Sequence, residues 1–466
     1  DVAPSRGLGD VYKRQINMKK VITYGTYDVL HHGHINILRR AKELGDYLIV
    51  GVTSDSFDKE RGKLNIRNNV LERVEAVRAT GYADEIIIED YVGQKIDDIQ
   101  KYNVDVFCLG SDWEGKMDYL KEYCEVVYLP RTEGISSTQI RNESTIDIRV
   151  GIVGTGRIAK RFIPETKFVN GVNVCAIYNP SVQEGITFLE YVGSAKAFVD
   201  YDKFLARVDA VYIASPHIYH YEQTKKALEA GKHVLCEIPF VLKDAEAREL
   251  YELAEKKGLV LLEASKTAHC PAWNHLLVMA KSGVIGDVID VKASLSKLMD
   301  EAGQREFDQF QAGGSVTELA PLPLMAVIKL LGLDVKDVNF YSKFYKGVDI
   351  FTKGNIVYDN AVASITLGLG VKTEGNLVVS GTKGYILAPS PWWLTNYFEV
   401  CFEDQNKNKK YFYSFDGDGL RYEIQEFASM IVNKRLSSYR LRRRESIAIA
   451  GIVEKFLNNE NVKELK

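Results

Sequence analysis

Gly25-Thr26-Tyr27-Asp28-Val29-Leu30-His31-His32-Gly33-His34 is the stretch on which the reading of the first third of this chain turns. It follows an apolar run, Val21 to Tyr24, and precedes Ile35, Leu38, Ala41 and Leu44, which recur at helical spacing. The order is therefore strand, loop, helix over 35–44, with Gly45 as the expected C-cap and a second strand over Leu48 to Val52. Three of the chain's eight histidines fall in this loop. His31 and His34 are three apart and share a face on an opening helical turn. A helix N-terminus offers free N–H groups and partial positive charge, and Gly33 lets a phosphate approach the backbone. Phosphate chemistry is the expectation.

Outward from this loop, strands are expected at Glu85 to Ile88, Val106 to Leu109 and Val126 to Leu129, separated by helical segments. Alternating β and α predicts an α/β fold with a doubly wound parallel sheet, whose ligands sit at the carboxyl ends of its strands. After a polar stretch at Asn142 to Asp147 the scheme restarts. Ile148 to Val153 is a new strand, followed by Gly154-Thr155-Gly156-Arg157-Ile158-Ala159. A GxGxxA string that leaves a strand and opens a helix predicts a Rossmann domain with a dinucleotide pyrophosphate on the helix start. Beyond Val288 the texture turns β-rich, as at Ala361 to Leu369 and Leu377 to Leu387, which reads as an α+β domain with a sizeable open sheet.

These breaks give the expected domains: 18–143, a Rossmann domain at 147–268, and an α+β substrate or dimerisation domain at 269–466. Residues 1–17 lack periodicity and precede Met18-Lys19-Lys20, which opens a strand like a natural start. Asp10 to Gln15 (DVYKRQ) looks like a translated sequencing adapter, so 1–17 is read as a non-native leader.

Composition narrows the function classes. At 466 residues, several domains are expected; 46% hydrophobic and 26% charged residues suit a globular chain. A net charge of −3 gives no electrostatic case for nucleic acid or an anionic membrane. Six scattered cysteines without CxxC spacing argue against disulfides and zinc and fit a reducing cytoplasm. The expected partners are small molecules and further copies of the chain, with neither nucleic acid nor membrane.

With Gly110-Ser111-Asp112-Trp113-Glu114-Gly115-Lys116 and Arg131-Thr132-Glu133-Gly134-Ile135-Ser136-Ser137-Thr138, the HxGH loop resembles the glycerol-3-phosphate cytidylyltransferases of the nucleotidylyltransferase superfamily, over Met18 to about Asn142. The resemblance implies in-line transfer of CMP from CTP to a polyol phosphate, or another phosphorylated alcohol, with Mg²⁺ on the nucleotide. It implies that His31 and His34 stabilise the α-phosphoryl group, each worth about 2.7–4 kcal/mol of barrier. Lys63 (with Arg61) and Arg131 would grip phosphates. Gly25, Thr26, Gly33, Asp112, Thr132, Ser136 and Ser137 would line the nucleotide site, and Asp28 would help hold the metal-bound nucleotide. The family's arginine before Tyr82 is Gly81 here, leaving Arg73 or Arg78 to supply that cation.

The remainder resembles the Gfo/Idh/MocA oxidoreductases, through Ala214-Ser215-Pro216-His217, His220 and Ala230 to Pro239. That resemblance implies NAD or NADP held by Gly154, Gly156, Ala159, Asn179, Ser215, Pro216, His220, Glu237 and Pro239. At the strand end where an acid usually grips the NAD ribose stands Asn179, so NAD against NADP stays open. The family's Glu-Lys-Pro reads Glu237-Ile238-Pro239, and Leu322 falls where a His or Tyr belongs. Isoleucine cannot donate a proton. Lys266 or His269 would supply a substitute, or this half is a binding or dimerising module. Pro391-Trp392-Trp393, Trp273, His275 and the Arg440 to Arg444 run are read as packing or solvated features.

Overall fold

The computed structural model describes residues 18–30, 32–60, 66, 68–91, 93–130, 147–169, 171–193, 195–299, 304–413 and 417–466, without the side chains of 32, 56, 59, 60 and 112. The chain divides into two compact units, Asp1–Thr145 and Ile146–Lys466.

The first unit is a five-stranded parallel sheet of β1 (Lys20–Gly25), β2 (Tyr47–Thr53), β3 (Glu85–Glu89), β4 (Val106–Gly110) and β5 (Glu125–Leu129), in the order β3-β2-β1-β4-β5. Its inner strands are continuous apolar runs, as a sheet covered on both faces requires; Val21, Ile22, Leu48, Ile49, Val50 and Phe107 are fully buried. The strand order reverses between β1 and β4, which makes the carboxyl ends of those two parallel strands the switch-point crevice. Helix α1 (His32–Lys42) starts three residues before the expected Ile35, so His34 lies in its first turn. Gly45 is not a left-handed cap. It is required by space, since a Cβ there would stand 2.5 Å from the Lys19 carbonyl oxygen. Among the described residues the other α-helices of this unit are α2 (Asp55–Glu60), α3 (Val70–Ala79) and α4 (Gln94–Tyr102). Asn69 and Glu72 form a capping box that fixes the start of α3.

The second unit begins with a six-stranded parallel sheet of β6 (Ile148–Val153), β7 (Val172–Tyr178), β8 (Lys196–Phe198), β9 (Ala210–Ile213), β10 (His233–Glu237) and β11 (Leu261–Ala264), in the order β11-β10-β9-β6-β7-β8. Here β6 and β9 flank the switch point. Helices α5 (Arg157–Thr166), α6 (Val182–Val192), α7 (Tyr201–Leu205), α8 (His220–Glu229) and α9 (Asp244–Lys257) cross between its strands, and α10 (Lys266–His269) and α11 (Pro271–Lys281) follow the last.

A nine-stranded mixed sheet comes next. It is built from β12 (Val288–Ser296), β13 (Asp337–Tyr345), β14 (Val348–Val357), β15 (Val362–Gly368), β16 (Leu377–Gly381), β17 (Tyr385–Ala388), β18 (Tyr397–Cys401), β19 (Lys409–Phe412) and β20 (Val462–Glu464). Helices α12 (Ser315–Leu319) and α13 (Pro321–Leu331) pack on it, and α13 is buried nearly all round. Two helices come from the last fifth of the chain, α14 (Leu420–Val432) and α15 (Arg443–Leu457). Leu420, Ile424, Phe427 and Met430 of α14 return to the core of the six-stranded sheet beside Phe162 and Ile163. Glu165 on α5 accepts from both Nε and Nη2 of Arg421, at 3.0 and 2.9 Å. The segment after 268 is therefore shared between both sheets. Trp392 and Trp273 are fully buried, 5.9 Å apart, and the Trp392 indole donates to the Ser294 carbonyl. Arg440 is buried and donates to the His269 carbonyl, and Arg443 pairs with Glu255. No single described helix is long and apolar enough to cross a membrane.

Candidate functional site

In the first unit the residues after β1 run straight into the switch-point crevice. Gly25 accommodates the ring of Tyr27, which a Cβ would meet at 2.8 Å. Tyr27 is buried at φ 52° and packs edge-on to the imidazole of His34, with ring centroids 5.5 Å apart. That contact sets the His34 ring in the first turn of α1. Gly33 is buried beside it. Gly110, at the end of β4, faces Ile37 of the same helix, so α1 bridges the ends of both central strands.

Thr26 is held from three directions. Its hydroxyl donates to Asp58 at 2.9 Å, Thr53 lies 3.3 Å away, and its carbonyl accepts from Arg73 Nη1 at 2.7 Å. Arg73 is wholly buried and pairs with Asp55 at 2.6 Å and Asp58 at 3.1 Å. Of the two candidate cations, Arg73 is thus an internal clamp, and Arg78 is an exposed partner of Glu75 on the outer surface of α3. Asp28 is 2% exposed and accepts the Asn68 backbone N–H at 2.9 Å, which ties the loop after β1 to the start of α3. Asp112 lies in a 3₁₀ turn directly after β4. His31, Arg61, Lys63, Arg131, Thr132, Ser136 and Ser137 fall outside the described residues. Arg40 of α1 donates to the Pro130 carbonyl, immediately before that last stretch.

In the second unit a cleft of about 1160 Å³ opens at the β6/β9 switch point. Its floor is the GxGxxA turn. Gly154 sits at φ 94°, with its Cβ position 2.7 Å from the Ala214 carbonyl oxygen, so only glycine fits. Around the Gly156 Cβ position nothing lies within 4 Å, which leaves the first turn of α5 open to a ligand. Ala159 is buried under that turn. Asn179, Ser215, Pro216, His220 and Glu237 line the walls. Pro239 contributes its carbonyl, 2.8 Å from His220 Nδ1, while Nε2 lies 2.9 Å from the Ser215 carbonyl. Burial, with His217 adding like charge, pushes the His220 pKa down to about 4. A neutral imidazole carries one N–H, so the ring donates to only one of these two carbonyls.

Lys266 does not line the cleft. Its ammonium donates to the Asp418 carbonyl at 3.0 Å. The His269 ring is fully buried with neither nitrogen hydrogen-bonded, and burial, then the charges of Arg440 and Lys329, hold its pKa well below the usual value. Neither residue is among those that line the cleft, though the Lys266 charge acts on Glu237, which does. The cleft cations are instead Arg157, Arg161, Lys297 and Arg305. Burial, and then the neighbouring Arg157, lower the Lys297 pKa. Ile238 lines the same wall. Across it, His217 Nε2 lies 2.5 Å from Glu318 Oε1, and Arg305 reaches the same oxygen at 2.9 Å. Burial disfavours the charged Glu318, but His217 and Arg305 outweigh it and hold the carboxyl below its ordinary range. Sequence reading missed this group because its members lie up to 101 residues apart. Two signals were present: a histidine directly after Ser215-Pro216, and an acid four residues after Gly314.

Residues 22–143 match the model described as cytidylyltransferase-like, and residues 148–265 the oxidoreductase family with an NAD-binding Rossmann fold. The glycerol-3-phosphate cytidylyltransferase of Bacillus spizizenii is 52% identical over 131 residues, covering 27% of this chain and 97% of that protein. A dTDP-3,4-didehydro-2,6-dideoxy-alpha-D-glucose 3-reductase of Actinomadura kijaniata is 29% identical over 243 residues, 51% of this chain and 73% of that protein. A 3-ketoreductase from the same organism, solved with NADP and TDP-benzene, superposes with a TM-score of 0.63 at 23% identity, over 68% of this chain and 98% of its own. That last likeness is one of fold.

Proposed function

Because the chain belongs to the cytidylyltransferase-like family over residues 22–143 and carries an NAD-binding oxidoreductase domain over 148–265, we propose that its first unit transfers CMP from CTP to glycerol 3-phosphate. A phosphate oxygen of the acceptor attacks the α-phosphorus, the bond to the β-phosphate oxygen breaks, and pyrophosphate leaves. The observation that carries this reading is the placement of His34. Its ring stands in the first turn of α1 at the end of the central strand, packed against Tyr27. The positive end of that helix and the imidazole favour charge gathering on the α-phosphoryl oxygens. His31, Lys63 and Arg131 would complete the phosphate grip. Thr26, pinned by Arg73 and Asp58, keeps the loop in register with the helix start. Mg²⁺ would enter on the triphosphate and neutralise part of its charge.

For the second unit we propose an NAD(P)-dependent reductase or dehydrogenase of a polyol or sugar carbonyl. A dinucleotide fits the cleft, because the space above Gly156 is open and the first turn of α5 carries no acid. The cofactor would supply the hydride, while His217, Lys297 and Arg305 are the side chains placed to orient an oxygen or move a proton. Their presence favours an enzyme over a bare binding module. A CDP-polyol product suits a cytoplasmic homo-oligomer that supplies cell-wall precursors.

The test is product analysis after incubating the full chain with labelled CTP, Mg²⁺ and a panel of polyol phosphates. Labelled CDP-glycerol as the main product is expected. Transfer to none of the acceptors, with CTP unconsumed, would overturn the reading.

A further inference from the structure

The tip of β7 carries Asn179, which has no charge to offer a ribose. The structure nevertheless brings a carboxylate there. Glu184, in the first turn of α6, places Oε2 2.9 Å from Asn179 Nδ2 and 3.3 Å from Thr155 Oγ1. Asn179 also donates to Thr155 at 2.7 Å and accepts the Ser181 backbone N–H at 2.8 Å. Ser181 caps α6, and its hydroxyl accepts the Glu184 N–H. Side chains from the loop after β6, the end of β7 and the start of α6 thereby hold one acid on the cleft wall, where Thr155, Asn179, Ser181 and Glu184 are all lining residues.

The asparagine is the reason the acid can sit there. An aspartate at 179 would set two carboxylates about 3 Å apart, which like charges resist. The amide instead donates and recruits Glu184. In a sheet whose pyrophosphate rests on the first turn of α5, the adenosine ribose falls at the end of the next strand, which is β7. A carboxylate at that point accepts from the ribose diol and repels a phosphate on the 2′ oxygen. Among the described residues no cation lies within 4 Å of the Glu184 carboxylate to offset that repulsion. Of the cleft cations on α5, Arg161 stands 3.8 Å from Asp418, and Arg157 lies beside Lys297, whose pKa it lowers.

We propose that Glu184 reads the adenosine ribose in place of a strand-end acid, and that the cleft selects the nicotinamide dinucleotide with a free 2′-hydroxyl over its 2′-phosphorylated form. This rests on the dinucleotide reading of the second unit. It concerns binding alone and needs no substrate to test.

The full chain is titrated with NADH and with NADPH, following the fluorescence of the bound nicotinamide. NADH is expected to bind at least about tenfold more tightly, and Glu184→Gln to bring the two within about threefold. Glu184→Lys should invert the preference. Glu184 is exposed, so neither change threatens the fold. Equal affinity of the native chain for both, or a preference unchanged in Glu184→Gln and Glu184→Lys, overturns the role of Glu184. Binding of neither nucleotide is a different outcome and removes the dinucleotide reading itself.

Discussion

Arg73 donates to Asp58 at 3.1 Å with neither side chain exposed to solvent. The same guanidinium reaches Asp55, the Asn68 carbonyl and the Thr26 carbonyl, so one fork joins α2, the approach to α3 and the residue that follows the central strand. A buried cation between two carboxylates is poor evidence for net stability, because desolvation offsets attraction. Its use here is positional. It fixes the path of the chain out of β1 and hence where the histidines of α1 stand.

Removing the cation should therefore cost both stability and activity. Arg73→Ala strands two carboxylates, one of them fully buried, and is expected to destabilise the first unit by about 3–5 kcal/mol. Arg73→Lys keeps the charge but not the planar fork, and should lower CMP transfer more than it lowers the urea midpoint. Native midpoints and rates in both variants would show the guanidinium to be dispensable.

How far this was legible in the sequence differs between the two units. The loop after β1 could be read because its glycines and histidines are neighbours in the chain, and local geometry alone places them at a helix start. The role of Arg73 could not be read, because burial and two acidic partners from α2 decide it. In the second unit Gly154 and Gly156 announced the turn, whereas Lys266 was chosen for proximity in sequence to a family region and instead donates to the Asp418 carbonyl. His217, Glu318 and Arg305 meet only when α12 folds against the parallel sheet. Glu184 lies five residues beyond Asn179, and only the first helical turn folds it back onto the strand end.

His34→Ala should leave the fold intact, since the ring is only half-buried, and should lower transfer about 10²–10³-fold if the ring serves as a donor to the α-phosphoryl group. Single-turnover rates with saturating CTP separate this from weakened nucleotide binding. Retained turnover would remove this imidazole from the mechanism.

The two glycines of the second unit should fail in different ways. Gly154→Ala puts a methyl group 2.7 Å from the Ala214 carbonyl at a positive φ, so the protein alone should lose thermal stability. Gly156→Ala meets nothing within 4 Å, so its melting temperature should match the native value while dinucleotide binding weakens. Undiminished NADH affinity in Gly156→Ala would mean that no ligand approaches the first turn of α5.

Glu263 gives the second unit a pH dependence of definite sign. It is 2% exposed, and burial first, with Glu237 and Glu445 adding like charge, raises its pKa to about 7. The folded carboxyl thus holds its proton more tightly than the unfolded one, whose pKa is near 4.5. Its contribution is fully present below pH 4.5 and is lost as pH rises through about 7, a change of about 3 kcal/mol. Glu165 and Glu318, whose pKa values are lowered, act in the opposite sense, so the whole-protein profile mixes both. The difference between native protein and Glu263→Gln isolates the one group. The variant is neutral at every pH, so its urea midpoint should gain on the native one between pH 5 and pH 8. Parallel midpoints across that range would mean that Glu263 is charged in the folded protein throughout and is stabilised by a partner in its core.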